Sequence, residues 1–160
     1  MITRRRFLVS SAALPIVLVS CGGQGASADD PPGIKLGRDS CDRCGMIISE
    51  ERFASGIVNP DGEAVIFDDA GEMAATVQEE GLNNRRVWVH GFPSLKWMDA
   101  TEAWYAVTMD IPTPMGSGVF PFDTEAGARA FDWGGTVYSW SDLLKNWSFD
   151  AMTFFGETGA

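Results

Sequence analysis

The alternation of apolar and polar residues in the middle of the chain predicts short strands that enclose a helix. Two strand-like runs, FASGIV at 53–58 and EAVIFDD at 63–69, flank an Asn-Pro-Asp-Gly turn at 59–62. This turn sequence is typical of a hairpin, because glycine readily adopts the positive φ that tight turns require. Small and apolar residues then recur at helical spacing over 70–80, and RVWVHGF at 86–92 predicts a third strand.

The same order of elements recurs in the second half of the chain. We predict strands at 102–109 and 119–124, a helix at 125–131, a strand at 136–140 and a short helix at 141–147. The two halves align on FDD at 67–69 and FDT at 122–124. This alignment predicts an internal repeat of two ββαβ units, about 41–92 and 102–147, with chance similarity of short patterns as the rival interpretation.

Each predicted helix follows a residue that is suited to cap it. Asp69 and Thr124 stand just before the two helices, where a side-chain oxygen accepts hydrogen bonds from the free amide groups of the first turn. A unit of about 50 residues buries too little surface to be stable alone. We therefore expect the two units to pack against each other as one α+β module.

The first 20 residues have the features of an export signal. Arginines at 4–6 precede an apolar run at 7–19, which at about 13 residues is too short to span a membrane. TRRRFL at 3–8 resembles a twin-arginine motif. LVSC at 18–21 resembles a bacterial lipobox, in which the cysteine, here Cys21, is acylated. A plain signal peptide that happens to end near a cysteine is the alternative.

Acylation of Cys21 would tether the protein to a bacterial membrane, facing the periplasm. Residues 21–38 are rich in Gly, Pro, Ser and Ala, which favours a flexible linker between the lipid and a domain at 39–160. The lipid is an effective anchor, because each buried methylene contributes about 0.8 kcal/mol. The sequence does not distinguish the inner from the outer membrane.

The composition is that of a folded, acidic domain. Of the 160 residues, 45% are hydrophobic and six are tryptophan, so we expect a packed core. The formal net charge of −10 repels phosphate backbones. Nucleic-acid binding is therefore disfavoured.

CDRCGM at 41–46 holds the candidate chemistry, because Cys41 and Cys44 are the cysteines that remain once Cys21 carries lipid. A structural zinc site needs four ligands, most often nitrogen or sulfur. The single histidine, His90, is far from the cysteine pair in the sequence. A carboxylate or a second copy of the chain would have to complete a zinc site.

A dithiol oxidoreductase is a second interpretation of the same pair. Two cysteines at this spacing in an exported protein can cycle between dithiol and disulfide, and we expect Arg43 between them to lower the thiol pKa. However, the redox motif of thioredoxin-like proteins opens a long helix inside a βαβ unit. Here strands soon follow.

A soft-metal site is the third interpretation. Thiolate and thioether sulfur both favour Cu(I), and Met46 lies two residues after Cys44. Met115 stands between Pro114 and Gly116, which fix it on a predicted turn among polar residues. There it is either a metal ligand or part of the packing of the loop.

The remaining methionines are judged by the elements on which they fall. Met98 lies where a loop is expected, and Met109 lies at the end of the predicted strand at 102–109, where a loop begins; both are further candidate ligands. Met73 lies on the inner stripe of the first predicted helix, so we expect it in the core, where most methionines serve as apolar filling.

Several of these motifs, in this order, resemble the NosL family, accessory lipoproteins of nitrous oxide reductase maturation. They are the lipobox, CDRCGMIIS, the FDD triplet, WMDATEAWYAV and TPMGSGVFPF. The likeness extends from Cys41 to about Trp147. It implies two related ββαβ units and a Cu(I) chaperone, not an enzyme, that hands copper to nitrous oxide reductase or its assembly machinery outside the cytoplasm.

The resemblance also implies a ligand set of two cysteines and two methionines: Cys41, Cys44, Met46 and Met115. Asp68 and Asp69 match the acidic pair of the family, with a hairpin end and a helix cap as the simpler roles. At His90 the family more often has aspartate. We therefore expect a solvent-facing residue at a strand end, unless His90 lies close enough to the cysteines to complete a Cys/Met/His set.

Overall fold

The computed structural model describes residues 27, 29–131 and 135–149 of the chain. The predicted signal peptide, the predicted twin-arginine motif and Cys21, the predicted acylation site, lie outside the described residues. Among the helices in the described part, none is both long enough and apolar enough to cross a membrane.

The first unit is built around a tight hairpin. Gly62 has a φ of +89° and donates its N–H to the Asn59 carbonyl at 2.9 Å, which confirms the predicted turn. The unit consists of a single 3₁₀ turn (Glu51–Phe53), β1 (Ser55–Val58), β2 (Ala64–Phe67), α1 (Ala70–Glu80), β3 (Arg86–His90) and β4 (Trp97–Asp99).

The second unit repeats the order strand, strand, helix, strand. It consists of β5 (Trp104–Val107), β6 (Val119–Phe122), α2 (Glu125–Ala130) and β7 (Thr136–Ser139), followed by α3 (Trp140–Asn146). The helices and strands predicted from the sequence are all present. The bounds of α1 are those predicted, and the ends of the other elements differ by at most two residues.

Both units form antiparallel sheets with the same topology. The strand order is β2-β1-β3-β4 in the first sheet and β6-β5-β7 in the second, so the first strand of each unit is flanked by the other two. This shared order confirms the predicted repeat and the α+β class. The first unit differs by its fourth strand, and the second by its terminal helix.

Both helix caps predicted from the sequence are present in the structure. The Asp69 carboxylate accepts a hydrogen bond from the Gly71 N–H at 2.8 Å, and the Thr124 hydroxyl accepts one from the Gly127 N–H at 3.1 Å. Each cap satisfies an amide group that has no partner within its own helix.

One apolar core joins the two units. Phe67 and Met73 of the first unit lie in the same buried cluster as Tyr105, Val119 and Leu143 of the second. Burying each of these large side chains contributes about 1.5–3 kcal/mol, so neither unit would keep this stabilisation alone. The expected packing of the two units and the core position of Met73 are confirmed.

The structure corrects two local predictions. Phe53 belongs to the 3₁₀ turn and not to the first strand, and it packs edge-on against Phe120 in a second, aromatic core cluster. Met98 lies on β4, opposite Val89, and not in a loop. This strand spans only three residues, too few to show an alternating pattern.

The last part of the predicted linker packs on the domain. Pro32 is buried, and its Cγ would lie 2.6 Å from a Cβ on Gly56 of β1, so glycine makes this close approach possible. Further along, the Gly37 N–H donates to the Ile48 carbonyl at 2.8 Å. The boundary between linker and domain at residue 38 stays a prediction.

Candidate metal centre

Backbone hydrogen bonds close the loop at 41–46. The Cys41 N–H donates to the Met46 carbonyl at 2.8 Å, and the Gly45 N–H donates to the Cys41 carbonyl at 2.9 Å. Gly45 has a φ of +77°, which a residue with a side chain rarely adopts. Asp42 binds the outer edge of β2, because it exchanges hydrogen bonds with the Ile66 backbone at 2.7 and 2.8 Å.

Two thiols and two carboxylates converge beneath this loop. One ligand atom from each of Cys41, Cys44, Asp68 and Glu72 lies within 4.8 Å of the others. The Cys41 thiol donates to the Glu72 carboxylate at 2.9 Å, and the Cys44 thiol donates to the Asp68 carboxylate at 3.4 Å. Asp68 follows the end of β2, and Glu72 lies in the first turn of α1.

The cluster is buried on one side and open on the other. Cys41, Asp68 and Glu72 are at most 3% exposed, whereas Cys44 is half-buried at the rim. The second carboxylate oxygen of Asp68, Oδ2, is buried and has no hydrogen-bond partner. An unpartnered acceptor of this kind is costly unless a cation or proton reaches it, so the donor set suits a metal ion.

Burial raises the pKa of both thiols. For Cys41, removal from water is the largest cause of the raised pKa. The Cys44 N–H lowers this pKa, and the hydrogen bond to Glu72 raises it further. Removal from water also comes first for Cys44. Burial raises the pKa of Glu72 to about 7. In the metal-free protein both thiols therefore stay protonated at neutral pH.

The guanidinium of Arg43 pairs with α1 and not with the thiols. Its guanidinium forms two hydrogen bonds with the Glu79 carboxylate, at 2.7 and 2.9 Å, and a third with the Thr76 hydroxyl at 3.2 Å. The positive charge is thus paired with an acidic residue on α1. Burial raises the pKa of each thiol overall and outweighs the Arg43 N–H, which lowers the pKa of Cys41 in the predicted direction.

The turn that carries Met115 is also bound to α1. The Gly116 N–H donates to the Thr113 carbonyl at 3.0 Å, which closes the turn predicted from Pro114 and Gly116. The Met115 N–H donates to the Asp69 carboxylate at 3.0 Å. Met115 is half-buried, and its backbone is anchored to the residue next to Asp68.

Residues 36–148 match the family model described as NosL. The chain belongs to the NosL family. Its fold is similar to that of the crystal structure of the copper chaperone NosL from Shewanella denitrificans, with a TM-score of 0.60 and 20% sequence identity over 71% of this chain and 96% of that chain. A search of curated proteins finds no match. The resemblance inferred from the sequence motifs is confirmed.

The other methionines named from the NosL resemblance or from loop positions differ in exposure. Met46 is 48% exposed and Met109 is 69% exposed. Met98 packs against the main core, and its Sδ would lie 3.7 Å from a Cβ on Gly91. Met46 is joined to the cysteine loop through its carbonyl. The ligand roles of Met46, Met98, Met109 and Met115 stay predictions.

His90 is not solvent-facing, so the expectation of an exposed strand end is wrong. It is 4% exposed, its Nδ1 hydrogen-bonds the Ala54 carbonyl at 3.0 Å, and its ring lies 3.7 Å from that of Trp97. Burial lowers its pKa. Within the described residues, the group of converging thiols and carboxylates does not include His90.

Glu72 is the member of the cluster that sequence reasoning missed. It lies in the first turn of α1, where an acidic residue is ordinary because of the helix dipole. A signal was available, since Glu72 is three residues after Asp69 and one before the core residue Met73, on the buried face of the helix. A carboxylate on that face is unusual without a partner.

Proposed function

We propose that this protein is a membrane-anchored, extracytoplasmic Cu(I) chaperone that delivers copper for the assembly of nitrous oxide reductase, and that it is not an enzyme. The observation that carries the proposal is the pair of thiols, Cys41 and Cys44, held together with one buried and one at the rim. Thiolate sulfur is the donor that Cu(I) prefers in proteins.

The donors differ in strength, and this difference suits a carrier. Cys41 and Cys44 lose their protons and supply charge when Cu(I) arrives, because the thiolate is the binding form. Met46 and Met115 are neutral thioether donors on an exposed loop and a half-buried turn. Weakly held donors at the rim allow a receiving protein to replace them one at a time.

The free surface supports handover to a partner. Cys44 is the more accessible thiol and Met46 beside it is 48% exposed, so an incoming sulfur ligand reaches copper from this side. The acidic chain, with a net charge of −10, favours a basic docking patch on the receiving protein. Acylation of Cys21 would keep the domain at the membrane where that protein is assembled.

Anaerobic Cu(I) titration of the processed protein in detergent, against a chromogenic competitor, tests the proposal. We expect one copper bound per chain with nanomolar or tighter affinity. Cys44→Ser should weaken binding by more than about a hundredfold, because removing a ligand exceeds the 10–100-fold effect of its outer neighbours. Binding that is unchanged in Cys44→Ser would contradict the proposal.

A zinc site is the second candidate, favoured by the presence of two carboxylates beside the two thiols. Two sulfur and two oxygen donors can complete the four-coordinate shell of Zn(II). Under this alternative, the protein binds Zn(II) tightly without help from methionine. Parallel titrations with Zn(II) and Cu(I) of the wild type and of Met46→Leu distinguish the two, because only Cu(I) affinity depends on the thioether.

The anchor has its own test. Cys21→Ser should move the protein from the membrane to the soluble fraction of periplasmic extracts, since the acylated cysteine carries the lipid. Protein that stays on the membrane after this substitution would contradict lipid anchoring, without bearing on copper binding.

A further inference from the structure

Asp69 connects the helix that bears the cluster to the turn that bears Met115. Its carboxylate is 0% exposed and accepts four hydrogen bonds. Oδ1 accepts from the Gly71 N–H at 2.8 Å and from the Ser117 hydroxyl, and Oδ2 accepts from the Thr113 hydroxyl at 2.7 Å and the Met115 N–H at 3.0 Å. One donor belongs to α1 and three to the 113–117 turn, so the charge is satisfied only when both segments are in place.

The two segments also approach each other closely. A Cβ on Gly71 would lie 2.2 Å from the Ser117 Cβ, far inside contact distance. Glycine at the second position of α1 therefore lets the turn lie directly on the helix N-terminus. The buried Asp69 carboxylate lies at this junction.

The same helix N-terminus also holds the two carboxylates that contact the thiols. Asp68, the neighbour of Asp69, contacts the Cys44 thiol at 3.4 Å, and Glu72 contacts the Cys41 thiol at 2.9 Å. Any movement of the first turn of α1 relative to the 113–117 turn thus changes the position of Met115 relative to the two thiols.

We propose that Asp69 is a positioning residue, which holds the Met115 turn so that the thioether stays within reach of copper bound by Cys41 and Cys44. The inference rests on the proposed Cu(I) function. A neutral thioether binds weakly, so its contribution depends on being held in place before the metal arrives. Asp69 touches no metal in this scheme and acts through the backbone of Met115.

Asp69→Asn is the variant that separates positioning from capping. Asparagine is as good a helix cap as aspartate, but its side chain has one acceptor oxygen where aspartate has two. Its NH2 group therefore faces either the Met115 N–H or the Gly71 N–H, and that N–H loses its hydrogen bond. We expect Cu(I) affinity to fall by about tenfold or more. Asp123→Asn, the same change at an exposed position of the second unit, should leave the affinity unchanged.

A double-mutant cycle identifies the route of the effect. If Asp69 acts through Met115, the affinity of Asp69→Asn combined with Met115→Leu should match that of Met115→Leu alone. In addition, 13C-methyl methionine NMR of the wild type should show Met115 shifting on Cu(I) addition. That shift should be lost in Asp69→Asn while the Met46 shift remains.

Two results would overturn the inference alone: wild-type affinity within about twofold in folded Asp69→Asn, or additive losses in the cycle. Should Asp69→Asn fail to fold, Thr113→Val decides, since it removes one donor from the turn and leaves the helix cap. A loss of about threefold or more supports the inference, and an unchanged affinity overturns it. A wild type that does not bind Cu(I) overturns the proposed function and the inference together.

Discussion

The N-termini of α1 and α2 occupy equivalent places in the two units but have opposite surroundings. In the first unit, Asp68, Asp69 and Glu72 are almost fully buried. In the second, Asp123 and Thr124 are exposed, and in α2 only Ala128 is buried. The repeated topology therefore does not produce the site.

The difference comes from what covers each helix end. The cysteine loop and the 113–117 turn both bind the first turn of α1, where two thiols and two carboxylates converge. The first turn of α2 instead carries an exposed ion pair, between Glu125 and Arg129 at 2.7 Å. Candidate chemistry is found at the helix end that the cysteine loop and the 113–117 turn cover, and these two segments break the symmetry of the repeat.

The largest expected difference between the N-termini of α1 and α2 is the release of protons from thiols when Cu(I) binds beside α1. Because the pKa of each thiol is raised in the metal-free protein, every thiolate ligand releases one proton when Cu(I) binds. Affinity should rise about tenfold per pH unit for each thiol, hence about a hundredfold per unit if both bind. Competition titrations between pH 6 and 8 measure this slope.

Cys41→Ser should reduce that slope to about tenfold per pH unit. The slope also settles whether both cysteines bind the metal. An affinity of the wild type that is independent of pH would show that the thiols are already deprotonated, and would contradict the contrast between the two helix ends.

The second effect concerns the stability of the metal-free protein. Burial raises the pKa of Glu72 from its ordinary value of 4.5 to about 7 in the folded state, so the folded state binds more protons between these values. The free energy of unfolding should therefore fall as the pH rises through this window, by up to about 3 kcal/mol. Glu72→Gln should remove this dependence in urea denaturation at pH 5 and 8.

Glu125→Gln provides the matched control, because it alters the first-turn acid of α2, which pairs with Arg129. It should leave the pH dependence of stability as in the wild type. Burial lowers the pKa of His90, which makes stability fall below about pH 6.5. The contribution of His90 is the same in the wild type, Glu72→Gln and Glu125→Gln, so it cancels when their stabilities are compared.

The third effect compares the two caps directly. Thr124→Ala should cost about 1 kcal/mol, the usual value of a helix cap. Asp69→Ala should cost about 3 kcal/mol, because it also leaves buried donors of the 113–117 turn without an acceptor. Urea denaturation measures both, and equal losses would contradict the different environments of the two helix ends.

The smallest effect is that of the thioethers. Replacing Met46 and Met115 together by leucine should weaken Cu(I) binding by about tenfold, while the redox potential of the Cys41 and Cys44 pair stays unchanged. Met73→Leu is the control, since it makes the same change in the core. Unchanged Cu(I) affinity, with the redox potential also unchanged, would favour a dithiol oxidoreductase, which needs no methionine, over a chaperone.

Local patterns were enough to predict most of the fold. The limits of α1, the hairpin at 59–62 and the two caps follow from turn and capping residues that act within a few positions of themselves. β4 was missed because three residues carry no periodicity, and it exists through pairing with β3. The repeat could be predicted because the similar triplets FDD and FDT both lie between the second strand and the helix of their unit.

The candidate site was predicted in part. Cys41 and Cys44 stood out by their spacing, and Asp68 entered through the resemblance to NosL. Glu72 and the environment of His90 depend on contacts across more than 30 residues of sequence, and such contacts leave no local pattern. The pairing of Arg43 with Glu79 was missed for the same reason, because Glu79 is 36 residues away.

The binding of Asp42 to the Ile66 backbone has a consequence for self-association. β2 is an outer strand of its sheet, and an uncovered outer strand offers free N–H and C=O groups to another chain. The hydrogen bonds of Asp42, at 2.7 and 2.8 Å, occupy such groups. The loop that holds the thiols thus also shields the sheet from strand addition, and a copy with this loop displaced would be prone to aggregate.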